Sequence, residues 1–270
     1  MEKQVYSRNK QALHYRITGQ GPLILLLHGF GMDGRIWDGL LPELSKAHLC
    51  LVPDIPGSGQ SDMPAEWTID HLAEDMMGLV QQVGNGKPFV VIGHSMGGYI
   101  GLSMVNKYPD KIKALTLFHS TTYADDTAKK EARGKSIQFI RQHGAEPFIK
   151  QFIPNLFAAG NRGKNKAEIN LLISRYTNFS PDALVGYYEA MMDRKDRTDL
   201  LKKSGIWFQF IIGAEDPAVS PAHALEQSAL TEKASIHYLE TVGHMGMIEA
   251  PEEITGILVK FLQTIEIENQ

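Results

Sequence analysis

Two apolar rhythms alternate along the chain. Pro22 to Leu27, His48 to Val52 and Phe89 to Ile92 are short, almost continuously apolar runs, the pattern of strands covered on both faces. Between them, Ile36, Trp37, Leu40, Leu41 and Leu44 predict an amphipathic helix over Arg35 to Lys46. Leu72, Met76, Leu79, Val80 and Val83 predict another over Asp70 to Val83. A helix from Ser95 to about Tyr108 and a strand from Ile112 to Phe118 extend the series, which is that of repeated βαβ units and a parallel sheet. Ahead of it, Gln4 to Ser7 and Ala12 to Thr18 flank Asn9-Lys10 and predict an opening hairpin.

From about Ser120 to Lys203 the alternation stops and only helical patterns remain, rich in Phe, Tyr and Met. Strands then resume at Ile206 to Ile212 and Ala234 to Leu239. Helices are predicted over Pro221 to Leu230, with Ser220 as N-cap, and over Glu252 to Ile265. The organisation expected is an α/β core made of residues 1–119 and 204–270, with residues 120–203 inserted as a helical cap after the sixth strand.

A chain of 270 residues can bury a large core without disulfides, and the single Cys50 sits in an apolar run where a buried, inert thiol is expected. That cysteine usage fits a reducing compartment. Behind Met1-Glu2-Lys3-Gln4 there is no apolar signal segment, and no run approaches the roughly 18 apolar residues of a membrane span. The expectation is a soluble, cytoplasmic protein without a membrane partner. A net charge of −4 with interspersed signs gives no footprint for nucleic acid, and Arg162, Lys164 and Lys166 read as a solvated loop.

Candidate chemistry begins at Val90-Val91-Ile92-Gly93-His94-Ser95-Met96-Gly97-Gly98. If strand turns to helix at Ser95, the hydroxyl is thrown out on a tight bend, and a Cβ at Gly93 or Gly97 would collide with the neighbouring element. Ser95 is therefore the candidate nucleophile, and it needs a base, an orienting acid and a site for developing negative charge. Ligands of open parallel sheets gather at the carboxyl ends of the strands. The residues there are His28, Gly29 and Phe30; Ser95 and Met96; Glu215 and Asp216; and His244. A serine, an acid and a histidine thus fall in strand-end loops in that order.

His28-Gly29-Phe30-Gly31, Asp54-Ile55-Pro56-Gly57-Ser58-Gly59-Gln60-Ser61, the Ser95 stretch, Gly213-Ala214-Glu215-Asp216 and Gly243-His244 occur in that order. On these five features the chain resembles the α/β-hydrolase superfamily from about Gly21 onward, apart from 120–203. The resemblance implies a mostly parallel twisted sheet of about eight strands flanked by helices. It implies Ser95 as nucleophile, His244 as general base and then acid, and Asp216 as the group orienting and stabilising the imidazole. It also implies an oxyanion hole from the backbone N–H groups of Phe30 and Met96. Glu215, Asp125 and Asp126 are substitute candidates for the acid. A serine at the bend argues against the dehalogenase and epoxide-hydrolase branches, which use aspartate there.

His28, His119, Tyr187 and Met191 are candidate pocket-lining residues, each with a structural reading beside it: His28 shaping its loop, and Tyr187 and Met191 packing a helix on the core. His94 is expected to pack, Asp54 to serve a turn, and Glu249 to tie the histidine loop to the following helix. No metal-ligand cluster is visible, and the expected chemistry needs neither metal nor organic cofactor. The leading expectation is a serine hydrolase forming an acyl-enzyme from a small, apolar carboxylic ester or lactone. Carbon-carbon bond hydrolysis, enol-lactone hydrolysis and cofactor-free perhydrolysis use the same triad on similar capped scaffolds. A different class is a small-molecule receptor built on the same scaffold, which intact Ser95, Asp216 and His244 weigh against.

Overall fold

The computed structural model describes residues 2–8 and 11–267. Strands β1 (Glu2–Arg8) and β2 (Gln11–Thr18) form the antiparallel opening hairpin, whose Asn9-Lys10 connection lies outside the described residues. The βα series follows: β3 (Leu23–Leu27), β4 (Leu49–Pro53), α1 (Ile69–Val83), β5 (Phe89–His94), α2 (Met96–Lys107) and β6 (Ile112–Phe118). Four helices come next: α3 (Thr127–His143), α4 (Ala145–Asn155), α5 (Lys166–Tyr176) and α6 (Pro181–Met192). The chain closes with β7 (Trp207–Gly213), α7 (Pro221–Ser228), β8 (Ala234–Leu239) and α8 (Pro251–Ile267).

The strands form one sheet of eight in the order β1-β2-β4-β3-β5-β6-β7-β8. β2 pairs antiparallel with β4, and every pairing from β4 to β8 is parallel. Register levels the carboxyl ends: Leu27 lies beside Gly93, His94 beside Phe118, and Gly213 beside Leu239. The loops after β3, β5, β7 and β8 therefore open at one edge of the sheet, where the sequence order of Ser95, Asp216 and His244 requires them. Burial matches the apolar runs, since all of β5 is buried and Ile24 to Leu27 are fully covered.

One element differs from expectation. In place of a continuous helix over Arg35 to Lys46 there is a 3-10 turn at Gly34–Trp37 and a separate four-residue helix at Leu41–Leu44. The Asp33 carboxylate caps the first by accepting from the Arg35 N–H. Pro42 lies in the first turn of the second, where it has no N–H to return to the preceding turn. Ile36, Trp37, Leu40, Leu41 and Leu44 are buried all the same, so the apolar stripe is used while the regular helix is not.

Between β6 and β7 the elements among the described residues are all helical, with α3 and α6 packed together. They meet the sheet edge through Phe30, which follows β3. Its ring stacks on Tyr188 of α6 at 4.2 Å and meets Phe148 and Phe152 of α4 edge-on. Glu249 holds a second contact: its carboxylate accepts from the N–H of Gly243 and of Met245 on the histidine loop, and from Ala158 N–H and Asn161 Nδ2 on the helical segment.

Candidate active site

Ser95 joins β5 to α2 with φ 53° and ψ −116°, a left-handed backbone on a residue with a Cβ. Such a conformation costs on the order of 1–3 kcal/mol and persists only where the surroundings over-determine it. Here the Ser95 N–H donates to Phe118 O at 2.9 Å, while Ser95 O accepts from Gly98 N–H at 2.9 Å and from the Ser120 hydroxyl at 2.8 Å. The glycines clear the space: a Cβ on Gly93 would lie 2.5 Å from the Gly97 backbone, and one on Gly97 would lie 2.3 Å from Leu27 O. The backbone N–H groups of Phe30 and Met96 have no protein acceptor among the described residues.

His244 and Asp216 form a buried pair. His244 Nδ1 lies 2.8 Å from Asp216 Oδ2 and 3.0 Å from Oδ1, and Oδ1 also accepts from the N–H groups of Ala218 and Val219 at 2.8 and 3.0 Å. Burial alone would raise the Asp216 pKa. The opposing charge and hydrogen bond of His244, joined by His119 and the Val219 N–H, outweigh it and hold the carboxyl at about 2. An ionised Asp216 accepts the Nδ1 proton, which leaves Nε2 as the basic atom. His244 Nε2 and the Ser95 hydroxyl are not hydrogen-bonded to each other in this structure; such bonds commonly tighten only when substrate fills the site.

Two further histidines pack around this pair and are held neutral. His94 Nε2 donates to His244 O at 2.9 Å, and burial together with the neighbouring rings pushes its pKa well down. His119, also at positive φ, accepts the Gly213 N–H on Nδ1 at 3.2 Å, and burial lowers its pKa to about 3. Nδ1 therefore has no proton for Asp216 Oδ2, 3.7 Å away. Glu215 is exposed and is not among the residues lining the Ser95 cavity. Asp125 is buried and committed to Arg133 and Arg194 at 2.6 and 2.7 Å, away from His244.

Ser95 and His244 open into one cavity of about 470 Å³. Its walls include Phe30, Tyr99, Phe152, Leu156, Tyr188 and Met191, with Lys129, Arg133 and Ser136 of α3 among them. Met191 is thus on the wall, whereas His28, His119 and Tyr187 are not. His28 is fully buried behind its loop, accepting the Ile55 N–H and contacting the Ser58 hydroxyl. Tyr187 turns its hydroxyl to Ile55 O and Pro56 O, a backbone contact that fixes the side chain in the interior. Lys129 and Arg133 carried no sequence signal of a site, because a charged stripe on a predicted helix reads as a solvated face. Cys50 is buried far up in pKa, at about 12, consistent with an inert thiol. Among the described residues no cluster suited to a metal ion occurs, and no helix is long and apolar enough to cross a membrane.

The fold has close structural counterparts. An esterase from Thermogutta terrifontis superposes with a TM-score of 0.91 at 24% identity, covering 98% of this chain and 99% of that one. The enol-lactonase from Burkholderia xenovorans LB400 gives 0.88 at 23%, covering 96% and 100%. In sequence, Lipase 3 of Moraxella sp. is 25% identical over 93% of this chain and 78% of its own length. The profile of the alpha/beta hydrolase fold matches residues 22–251, and the chain belongs to that family.

Proposed function

We propose that the protein is a serine hydrolase that forms an acyl-enzyme on Ser95 from a small carboxylic ester or lactone with an apolar body. The observation that carries this reading is the convergence of the strained Ser95 turn and the hydrogen-bonded His244–Asp216 pair on one apolar-walled cavity. Esterase, lipase and enol-lactonase relatives support the reaction class.

In this mechanism His244 Nε2 takes the Ser95 proton as Oγ attacks the carbonyl carbon. The resulting imidazolium is stabilised by ionised Asp216, whose depressed pKa keeps it charged throughout. Negative charge collects on the former carbonyl oxygen, where the free N–H groups of Phe30 and Met96 act as donors. Collapse expels the alcohol, protonated by His244, and water activated by the same imidazole releases the acid and restores Ser95. His94 and His119, held neutral, add no competing positive charge beside the imidazolium. Residues 120–203 act as the cap over a core of 1–119 and 204–270.

The test is labelling with a fluorophosphonate together with turnover of short aryl esters. Wild-type protein is expected to do both, and Ser95→Ala neither. Labelling that persists in Ser95→Ala would overturn the assignment.

A further inference from the structure

The wall of the Ser95 cavity contributed by α3 is made of Lys129, Ala132, Arg133 and Ser136. Their i, i+3, i+4, i+7 spacing is that of a single helix face, and it is the face an amphipathic helix normally fills with apolar residues. Two cations therefore line a cavity whose lining includes no carboxylate.

Arg133 has a partner, but it is shared. Its Nε donates to Asp125 Oδ2 at 2.6 Å while Arg194 Nη1 lies 2.7 Å from Asp125 Oδ1, so one carboxylate faces two guanidinium groups. The Asp125 carboxyl is held down against burial by those two charges, and the trio keeps a surplus positive charge. Arg133 Nη1 makes no hydrogen bond to protein among the described residues. Lys129 Nζ donates only to Ala218 O, a neutral carbonyl, and has no ion pair among the described residues. The neighbouring acids are engaged elsewhere: Asp126 is exposed and caps α3 through the Lys129 backbone N–H, Asp196 is exposed and accepts from the Ala124 and Thr198 N–H groups, and Asp216 is spent on His244. A brace within the helical segment would need one arginine for Asp125. The second arginine and the lysine leave positive charge facing the substrate.

We infer that Arg133 and Lys129 form an anion subsite, and that the substrate is an ester or lactone whose acyl or alcohol part ends in a carboxylate. This rests on the serine-hydrolase reading and narrows it: an apolar body lies against Phe30, Tyr188 and Met191, with one charged end at α3. Arginine offers planar paired donors for a carboxylate, and lysine adds a point charge.

Two matched substrate pairs test this: mono-para-nitrophenyl glutarate against para-nitrophenyl pentanoate, and para-acetoxybenzoate against its methyl ester. In at least one pair the anionic member is expected to have the higher kcat/KM by about tenfold or more, with the advantage shrinking as salt rises. Arg133→Gln and Lys129→Gln are each expected to cut that ratio severalfold, and Arg133→Lys to restore part of it. Asp125 keeps Arg194 in the Arg133 variants, so the buried carboxylate stays paired. As a readout independent of turnover, monomethyl glutarate should slow fluorophosphonate labelling of wild type more than dimethyl glutarate does. Preference for the neutral member in both pairs, or a ratio indifferent to both substitutions, overturns the subsite while leaving the hydrolase reading intact. Absence of both labelling and turnover removes the hydrolase reading and this one with it.

Discussion

Asp216 and Asp125 are both buried carboxylates held ionised against the pull of burial, yet their partners differ in kind. Asp125 sits between two guanidinium groups whose charge never changes. Asp216 sits against one imidazole and two backbone N–H groups, none of which carries a permanent charge. A permanent counter-ion makes a fixed joint and a fixed field. On the proposed mechanism, an imidazole partner makes a place where charge appears for the duration of a reaction step. Residue type and burial do not separate these two roles; the chemistry of the partner does.

The sharpest way to break the comparison is to neutralise each carboxylate in turn. Asp216→Asn keeps the shape but favours the wrong His244 tautomer, and a loss on the order of 10⁴ in kcat is expected on a para-nitrophenyl ester, with no more than about 2 kcal/mol of stability lost at neutral pH. A loss of only a few-fold would show that Asp216 is another structural acid. Asp125→Asn should do the reverse. A buried and a half-buried guanidinium group lose the carboxylate they share among the described residues, and about 3–5 kcal/mol of stability should disappear in urea unfolding, while the folded protein still takes a fluorophosphonate on Ser95.

Smaller effects come from acid. Asp216, lowered from 3.8 to about 2, contributes about 2 kcal/mol that is fully present above pH 3.8 and lost as the pH falls through 2. His119 acts earlier with the same sign. Its pKa is lowered from 6.5 to about 3, so between those values the unfolded chain binds a proton that the folded chain refuses. Stability should therefore fall by about 1.4 kcal/mol per pH unit for this group as pH drops below 6.5. His119→Gln is expected to flatten that part of a stability-pH curve, and an unchanged slope would show that His119 is not the group refusing protons. The smallest effect belongs to Glu215→Gln. An exposed side chain outside the cavity lining should cost no more than about twofold in kcat/KM, and a loss rivalling Asp216→Asn would reverse the choice of acid.

The sheet and the loops at its edge were legible because each depends on backbone demands that residue types reveal. Uninterrupted Leu, Ile and Val mark doubly covered strands, and Gly93 and Gly97 mark places where no Cβ fits. Side-chain direction was not legible in the same way. His28 and Tyr187 have the chemistry of pocket residues, but their hydrogen bonds to the Ile55 to Ser58 loop turn them inward. Arg133 gave no one-dimensional sign of a site at all. A charged residue in a helical pattern reads as part of a solvated face, and only the fold, which turns this face of α3 toward Ser95, puts it on the cavity wall. The stretch from Arg35 to Lys46 lost its helix for a local reason, since Pro42 cannot close the turn that the apolar stripe would allow.

The four N–H donors gathered by Glu249 set a rule for anyone recombining this scaffold. His244 N–H donates to Leu156 O at 2.7 Å, Asn161 Nδ2 donates to Thr241 O at 2.6 Å, and Glu249 reaches Ala158 and Asn161 from below. Residues 156–161 thus belong mechanically to the histidine loop, although they lie in the middle of the helical segment between β6 and β7. A chimera that replaces everything between β6 and β7 with a relative's helices would import foreign backbone beneath His244. One that exchanges 127–155 and 166–192 separately, and keeps the seam between them, would change the walls of the cavity while leaving the imidazole on its original footing.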